Sequence, residues 1–227
     1  MTDEPREPTE AEIAAKVARD NAEAAKLTAE ARKAEADAAI REMERAKAER
    51  QRAEELAANK YHCVYRFTTA VDPKSVQACM EQLDIWTRLD PPCEITIIFT
   101  SPGGDVVPGL ALWDYLQGLR RQGHVLRTHT EGMAASMAGI LLQAGSVRSM
   151  GSEAWLLIHE VQAGMMGSWG ELEDRMGWLE RVQDRILDIF AARATISKAT
   201  IKRRWKRQDW WIDSAEALKL GFVDEVT

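Results

Sequence analysis

Across its first 58 residues this chain contains no glycine at all, and no proline after Pro8. The two residues that most often interrupt a helix are therefore missing from a block dominated by Ala, Glu, Lys and Arg, which is the composition of one continuous exposed helix. Pro5 and Pro8 lead into it, and Thr9 followed by Glu12 fits a capping box. Asp37 with Arg41, and Glu44 with Lys47, sit at spacings that support a helix from its own surface. The large apolar residues Ile13, Val17, Leu27, Ile40, Met43 and Leu56 are too sparse and irregular for a sustained heptad seam. The expectation over 1–58 is a solvated helix or weak coiled coil, acting as a tether or assembly arm or as a mobile tail, ahead of a separate domain over 59–227.

From Tyr61 the pattern changes. Tyr61 to Thr68 alternates and is rich in β-formers, which predicts a strand. Asp72-Pro73 opens a helix to about Leu89, with Val76, Met80, Leu83 and Trp86 at helical spacing, and Pro91-Pro92 ends it. A strand over 94–100 and a helix from about Pro108 to Arg121 follow, closed by Gly123. The next strand runs from His124 to Glu131, then a short buried helix ends by Gly145, then strands cover 147–150 and 154–159. Strands alternating with helices imply an α/β core of crossover units. An amphipathic pattern from Glu171 to about Thr195 carries Leu172, Met176, Leu179, Val182, Ile186, Ile189 and Phe190. The chain closes on Ser214 to Asp224, a short helix with a glycine C-cap and a final strand.

Three segments of this core carry chemistry. Gly132-Met133-Ala134-Ala135-Ser136-Met137-Ala138-Gly139 places one hydroxyl among small residues at the mouth of an apolar run. Taken alone, Ser136 reads as a helix N-cap. Upstream, the β-branched run Ile97 to Thr100 ends in Ser101-Pro102-Gly103-Gly104-Asp105, a turn whose glycines let backbone approach a substrate. Downstream, Trp155-Leu156-Leu157-Ile158-His159 ends an apolar strand on a histidine. Hydroxyl, imidazole and glycine turn are the parts of a serine hydrolase, which shifts Ser136 and His159 from structural to catalytic candidates. His62, His124 and His129 lack such company and read as surface or edge residues, with His129 an outside candidate because it lies close to Ser136 in the chain.

These segments, in this order, resemble the ClpP family of serine peptidases, the proteolytic subunit of the Clp protease, from about Tyr61 to the C-terminus. The resemblance implies a ClpP/crotonase-type spiral of ββα units with a protruding handle helix, here the 171–195 pattern, preceded by the unrelated long N-terminal helix. It implies Ser136 as nucleophile, His159 as general base, the backbone N–H groups of Gly104 and Met137 as the oxyanion hole, and no metal or cofactor. It further implies a polypeptide substrate, a homo-oligomeric ring and an AAA+ unfoldase partner. The third triad member departs from the pattern. Counting back from Glu216-Ala217, the family aspartate falls on Trp205. Asp209 is then the nearest acid, Asp213 and Glu160 are others, and a Ser–His dyad is the remaining possibility.

The readings that follow are a Clp-type serine endopeptidase subunit or, as alternatives, a catalytically degenerate ring subunit, a prophage-type head-maturation protease, or a crotonase-like acyl-CoA enzyme. The last is disfavoured by the serine–histidine pairing. A net charge of −6 argues against a nucleic-acid role. The run Lys202 to Arg207 with Trp210 and Trp211 mixes basic and aromatic residues as nucleic-acid grooves do, but reads better as a solvated helix face with its tryptophans turned inward. The longest apolar stretch, about Ala134 to Ala144, is too short to span a bilayer. The N-terminal residues have neither the basic start nor the apolar core of a secretory signal, so a cytoplasmic location is expected. Cys63, Cys79 and Cys93 read as packing thiols.

Overall fold

The computed structural model describes residues 9–58, 60–89 and 92–227. Two units are separate by their internal contacts, residues 1–57 and 58–227. The first is the helix α1 (Glu10–Ala57), none of whose residues is buried. Its start is fixed as the sequence requires: Thr9 donates N–H and Oγ–H to the Glu12 carboxylate at 2.8 and 2.9 Å, and Glu12 N–H donates back to Thr9 Oγ1 at 3.4 Å. Asp37 meets Arg41 through its backbone oxygen rather than its carboxylate. Pro5 and Pro8 lie outside the described residues.

The second unit is built on a seven-stranded sheet. Its elements in order are β1 (Val64–Phe67), α2 (Pro73–Leu89), β2 (Glu94–Ser101), α3 (Val106–Arg121), β3 (Val125–Ala135), α4 (Met137–Leu142), β4 (Val147–Met150), β5 (Trp155–Ile158), α5 (Trp169–Ala191), α6 (Lys198–Trp205), β6 (Trp210–Asp213), α7 (Ser214–Lys219) and β7 (Glu225–Val226). Strands β1, β2, β3, β4 and β7 run parallel in that order. Parallel neighbours need long crossovers, which the helices between them supply. Along β2 the side chains alternate, so Ile95, Ile97, Phe99 and Ser101 are buried while the residues between them are not. With Leu112, Leu116, Leu126 and Leu83, the residues Ile95, Ile97 and Phe99 form a core of fully buried apolar side chains, each contributing about 1.5–3 kcal/mol through its removal from water.

Strand β3 decides where the site goes. Its first half pairs with β4 through Arg127–Thr130, and its second half pairs with β5 through Met133–Ala135. Against β2 the register slips between these halves: Phe99 faces Thr130 but Ser101 faces Ala134. Gly132 stands in the slipped segment at φ +68, a conformation that costs a residue with a Cβ but not glycine. The strand therefore continues to Ala135, past the expected end at Glu131, and delivers the chain directly to Ser136. Helix α4 follows, six residues that are all buried. It touches β2, β3, β5, α3 and α5.

Two further differences concern the C-terminal third. The 198–213 segment forms a helix and a strand rather than one helix, separated by a turn in which Arg207 has φ +58. Its tryptophans divide accordingly: Trp205 is fully buried, Trp210 is half-buried, and Trp211 is 46% exposed on β6. Trp210 packs inward, edge-on against the buried Phe222, whereas Trp211 does not turn inward as expected. In α5 the buried residues Val182, Ile186, Leu187 and Phe190 lie in the C-terminal half, while Trp169, Met176 and Trp178 in the N-terminal half are exposed. The Glu171 carboxylate accepts from Ser168 N–H and Oγ–H and fixes the start of α5.

Candidate active site

Ser136 occupies the junction between β3 and α4 with φ +53 and ψ −121. A non-glycine residue held there is strained by about 1–3 kcal/mol, a cost that persists only where the surroundings over-determine it. They do: Ser136 N–H donates to Leu157 O at 2.9 Å, and Ser136 O accepts from Ile140 N–H. Although it stands at the N-cap position of α4, its side chain makes no capping hydrogen bond. The capping role that the octapeptide alone suggests is thus not what the hydroxyl does.

The Ser-Pro-Gly-Gly turn is pressed against this junction. A Cβ on Gly103 would lie 2.5 Å from Ala135 O, 2.6 Å from Ser136 Cβ and 2.9 Å from Met137 N, and one on Gly104 would lie 2.3 Å from Val71 O. Both glycines have positive φ, +87 and +150. Only residues without side chains allow this approach. The turn is tied on its other side by Val71 N–H donating to Gly103 O at 2.8 Å and Asp105 N–H donating to Val71 O at 2.7 Å. Ser101, buried at the end of β2, donates its hydroxyl to Thr69 O at 2.6 Å and accepts from Gly103 N–H at 3.2 Å. Its role is to shape the turn.

His159 follows the last residue of β5. Ser136 and His159 line one cavity of about 320 Å³ together with Gly104, Met137 and Pro102. Val106, Ile140, Ile158, Ile186 and Phe190 supply its apolar wall, and Glu160 and Gln162 add polar atoms. All four sequence-predicted residues, Ser136, His159, Gly104 and Met137, therefore meet in one place. The sequence reading did not single out Gly103, although the glycine doublet was its signal.

The imidazole Nδ1 of His159 is buried and has no hydrogen-bond partner among the described residues. Trp205 ends α6 in the core, fully buried, with its own Nε1 also unpartnered among the described residues. Glu160 Oε2 accepts from Arg207 N–H at 3.0 Å. Asp213 Oδ1 accepts from Glu216 N–H at 2.7 Å and caps α7. Asp209 is exposed in the turn before β6, and it lines with His159 a second cavity of about 400 Å³.

The other histidines lie elsewhere. His62 is exposed. His124 is buried rather than at the surface, and its Nδ1 accepts from Cys93 N–H at 3.1 Å. His129 stands beside Ser149 in the β3/β4 register, 2.9 Å from its hydroxyl, and burial holds its imidazole below the ordinary value. Among the thiols, Cys79 and Cys93 are buried, and burial pushes the Cys79 thiol up to about 12, where it is inert.

A serine at a strained strand–helix junction, an imidazole across one cavity and a glycine turn bringing amides to both are the arrangement of a serine hydrolase on an α/β core. The chain belongs to the Clp protease family, whose model matches residues 50–227. It is similar to the ATP-dependent Clp protease proteolytic subunit of Deinococcus radiodurans, 29% identical over 160 residues that cover 70% of this chain and 76% of the relative. A subunit of the same name from Bacteroides fragilis is 30% identical over 162 residues, 70% of this chain and 75% of the relative. The ATP-dependent Clp protease proteolytic subunit 1 of Rhodococcus jostii is 33% identical over 159 residues, 69% and 70% respectively. Among the described residues no helix is long and apolar enough to cross a membrane.

Proposed function

We propose that this chain is a proteolytic subunit that hydrolyses peptide bonds through an acyl-enzyme on Ser136. The serine oxygen attacks the scissile carbonyl carbon while His159 takes the hydroxyl proton. The oxyanion that forms faces the N–H groups of Gly104 and Met137, donors of a kind worth about 3–4 kcal/mol to the barrier. Collapse of the tetrahedral species breaks the C–N bond, and His159 returns the proton to the leaving amine. Water then attacks the acyl carbon as His159 takes its proton, and collapse of the second tetrahedral species breaks the ester C–O bond, the Ser136 oxygen recovering the proton from His159 as the acid is released. The apolar wall of Val106, Ile140, Ile158, Ile186 and Phe190 suits an apolar substrate side chain. The names of its relatives, ATP-dependent proteolytic subunits, support a part in an ATP-driven assembly; in our reading the chain works as a homo-oligomeric ring fed by an AAA+ unfoldase in the cytoplasm, with the peptidase unit over 59–227 and α1 as an appended arm.

The observation that carries this reading is Ser136: strained, not used as a cap, and sharing a cavity with His159. A fluorophosphonate probe applied to the full-length protein should label Ser136, and Ser136→Ala should abolish labelling. An unlabelled, folded and oligomeric native protein would overturn the reading. One observation favours a second reading, a ring subunit that keeps the fold without cutting. Trp205, on which the family's acid falls when counted back from Glu216-Ala217, is buried in the core, and His159 Nδ1 has no partner among the described residues. The same experiment separates the two.

A further inference from the structure

Glu160 follows His159 directly and is half-buried. It lines both cavities that meet at the imidazole, the one of about 320 Å³ shared with Ser136 and the one of about 400 Å³ shared with Arg207 and Asp209. Apart from the imidazole itself, it is the single ionisable side chain among the described residues that wall the first. Its position is fixed from two sides. The carboxylate accepts from Arg207 N–H at 3.0 Å, and the next amide, Val161 N–H, donates to Gln183 Oε1 at 3.2 Å, which ties the segment to α5. One backbone N–H uses only a fraction of what a carboxylate accepts. No ion pair involves Glu160 among the described residues.

We propose that Glu160 selects a basic substrate residue, Lys or Arg, at the position whose carbonyl Ser136 attacks, the cationic tip reaching the Glu160 carboxylate where the two cavities meet. The proposal rests on Ser136 and His159 being the reacting pair, and it names the substrate class of that site. Lys and Arg are apolar along most of their length and charged at the tip. The apolar surface that suits the wall of Ile140, Ile158, Ile186 and Phe190 is then the stem of a basic side chain. A leucine would fill the same wall but shut water away from the carboxylate without replacing its hydrogen bonds, which is costly for any charge left unpaired. Selection therefore combines attraction of the cation with a penalty on its apolar competitor. In the second cavity Glu160 and Asp209 outnumber Arg207, so the wall that the tip approaches carries a surplus of acid.

The test uses the full-length protein and two peptidyl diphenyl phosphonates that differ only in the side chain next to phosphorus, one lysyl and one norleucyl, with labelling of Ser136 followed against probe concentration. The lysyl probe should label native protein about 10–100-fold more efficiently, the selectivity that one charge-assisted hydrogen bond gives. Glu160→Gln, whose amide oxygen still accepts from Arg207 N–H, should bring that ratio to within about threefold of unity, and Glu160→Lys should invert it. If Glu160 only held the Arg207 turn, its loss would slow both probes together and leave the ratio unchanged, which would overturn the proposal. A native ratio of about one or below would overturn it too. Binding of the matching lysyl and norleucyl peptides to Ser136→Ala, read by fluorescence anisotropy, repeats the comparison without chemistry. Lysyl preference that a further Glu160→Gln abolishes, alongside a folded native protein that no phosphonate labels, would overturn the hydrolase reading while leaving selection by Glu160 standing. Equal binding with no labelling would overturn both.

Discussion

Replacing Gly103 by alanine separates two physical costs that the glycine turn avoids. The first is backbone strain. An L-residue at φ +87 is disfavoured by about 1–2 kcal/mol. The second is collision with Ala135 O, Ser136 Cβ and Met137 N, all within 2.9 Å of the added carbon. Two of these are backbone atoms that no rotamer change can move. Relief to ordinary contact near 3.4 Å requires the turn and the serine junction to part by on the order of 1 Å, and a misplacement of that size at the reacting atoms costs about 10²-fold in rate. Gly132 provides the control, with φ +68 and a Cβ position whose nearest neighbour is Thr100 Cγ2 at an ordinary 3.5 Å. Gly132→Ala incurs the strain without the collision.

The assay is therefore comparative. Gly132→Ala should melt about 2–8 °C below native, the shift that 1–2 kcal/mol produces in a domain of this size, and Gly103→Ala by at least as much, since the collision adds to the strain. Only Gly103→Ala should lose Ser136 labelling, by about 10²-fold, and recover none of it at higher probe concentration. Labelling of Gly103→Ala within threefold of native would refute the claim that this turn holds the nucleophile. Equal losses in both variants would refute the separation of strain from collision.

The remaining predictions concern stability. Arg148 is 2% exposed, and Asp224 holds it through its N–H, Nε and Nη2 at 2.8, 3.2 and 2.7 Å, while Gln143 takes its Nη1 at 2.6 Å. Asp224→Ala leaves that guanidinium unpaired in the core and should lower unfolding free energy by about 3–5 kcal/mol in urea titrations at pH 7. Burial raises the Asp224 carboxyl, but hydrogen bonds from Arg148 and the charges of Arg148 and Arg193 outweigh it and leave it below the ordinary value. A depressed carboxyl stabilises above its unfolded value, near 4, and loses that contribution as pH falls through the native value. The gap in stability between native and Asp224→Asn should therefore be widest above pH 5 and narrow progressively below pH 4. At the other end of the chain, Thr9→Ala should remove about 1 kcal/mol from the start of α1, seen as faster amide exchange over residues 10–14 with Ser136 labelling unchanged.

What was legible in the sequence follows from which forces act locally. The expected helix 73–89 is α2, and the expected strand 94–100 is β2 to within one residue, because Pro73, Pro91-Pro92 and the β-branched run each act on their own backbone. The end of β3 was misplaced because Ala134 and Ala135 have no strand preference of their own. They are extended because the slip past Gly132 gives them β5 as a partner. Ser136 and His159 stood out as candidates because each follows an apolar strand near a turn or run of small residues, whereas Gly104 and Met137 were candidates only through the family resemblance. The acid stayed open, because Asp209, Asp213 and Glu160 are all candidates in the sequence and nothing local ranks them by distance from His159. Strand β6 was hidden within a run of basic residues and tryptophans whose composition suited a helix face. Pairing with β5 then sets a register, Trp155 opposite Asp213 through Ile158 opposite Trp210, that neither segment announces by itself. That register is held from within, because Leu156 and Ile212 are opposed in the ladder and both are fully buried, so a slip by one residue would turn each of them out of the core.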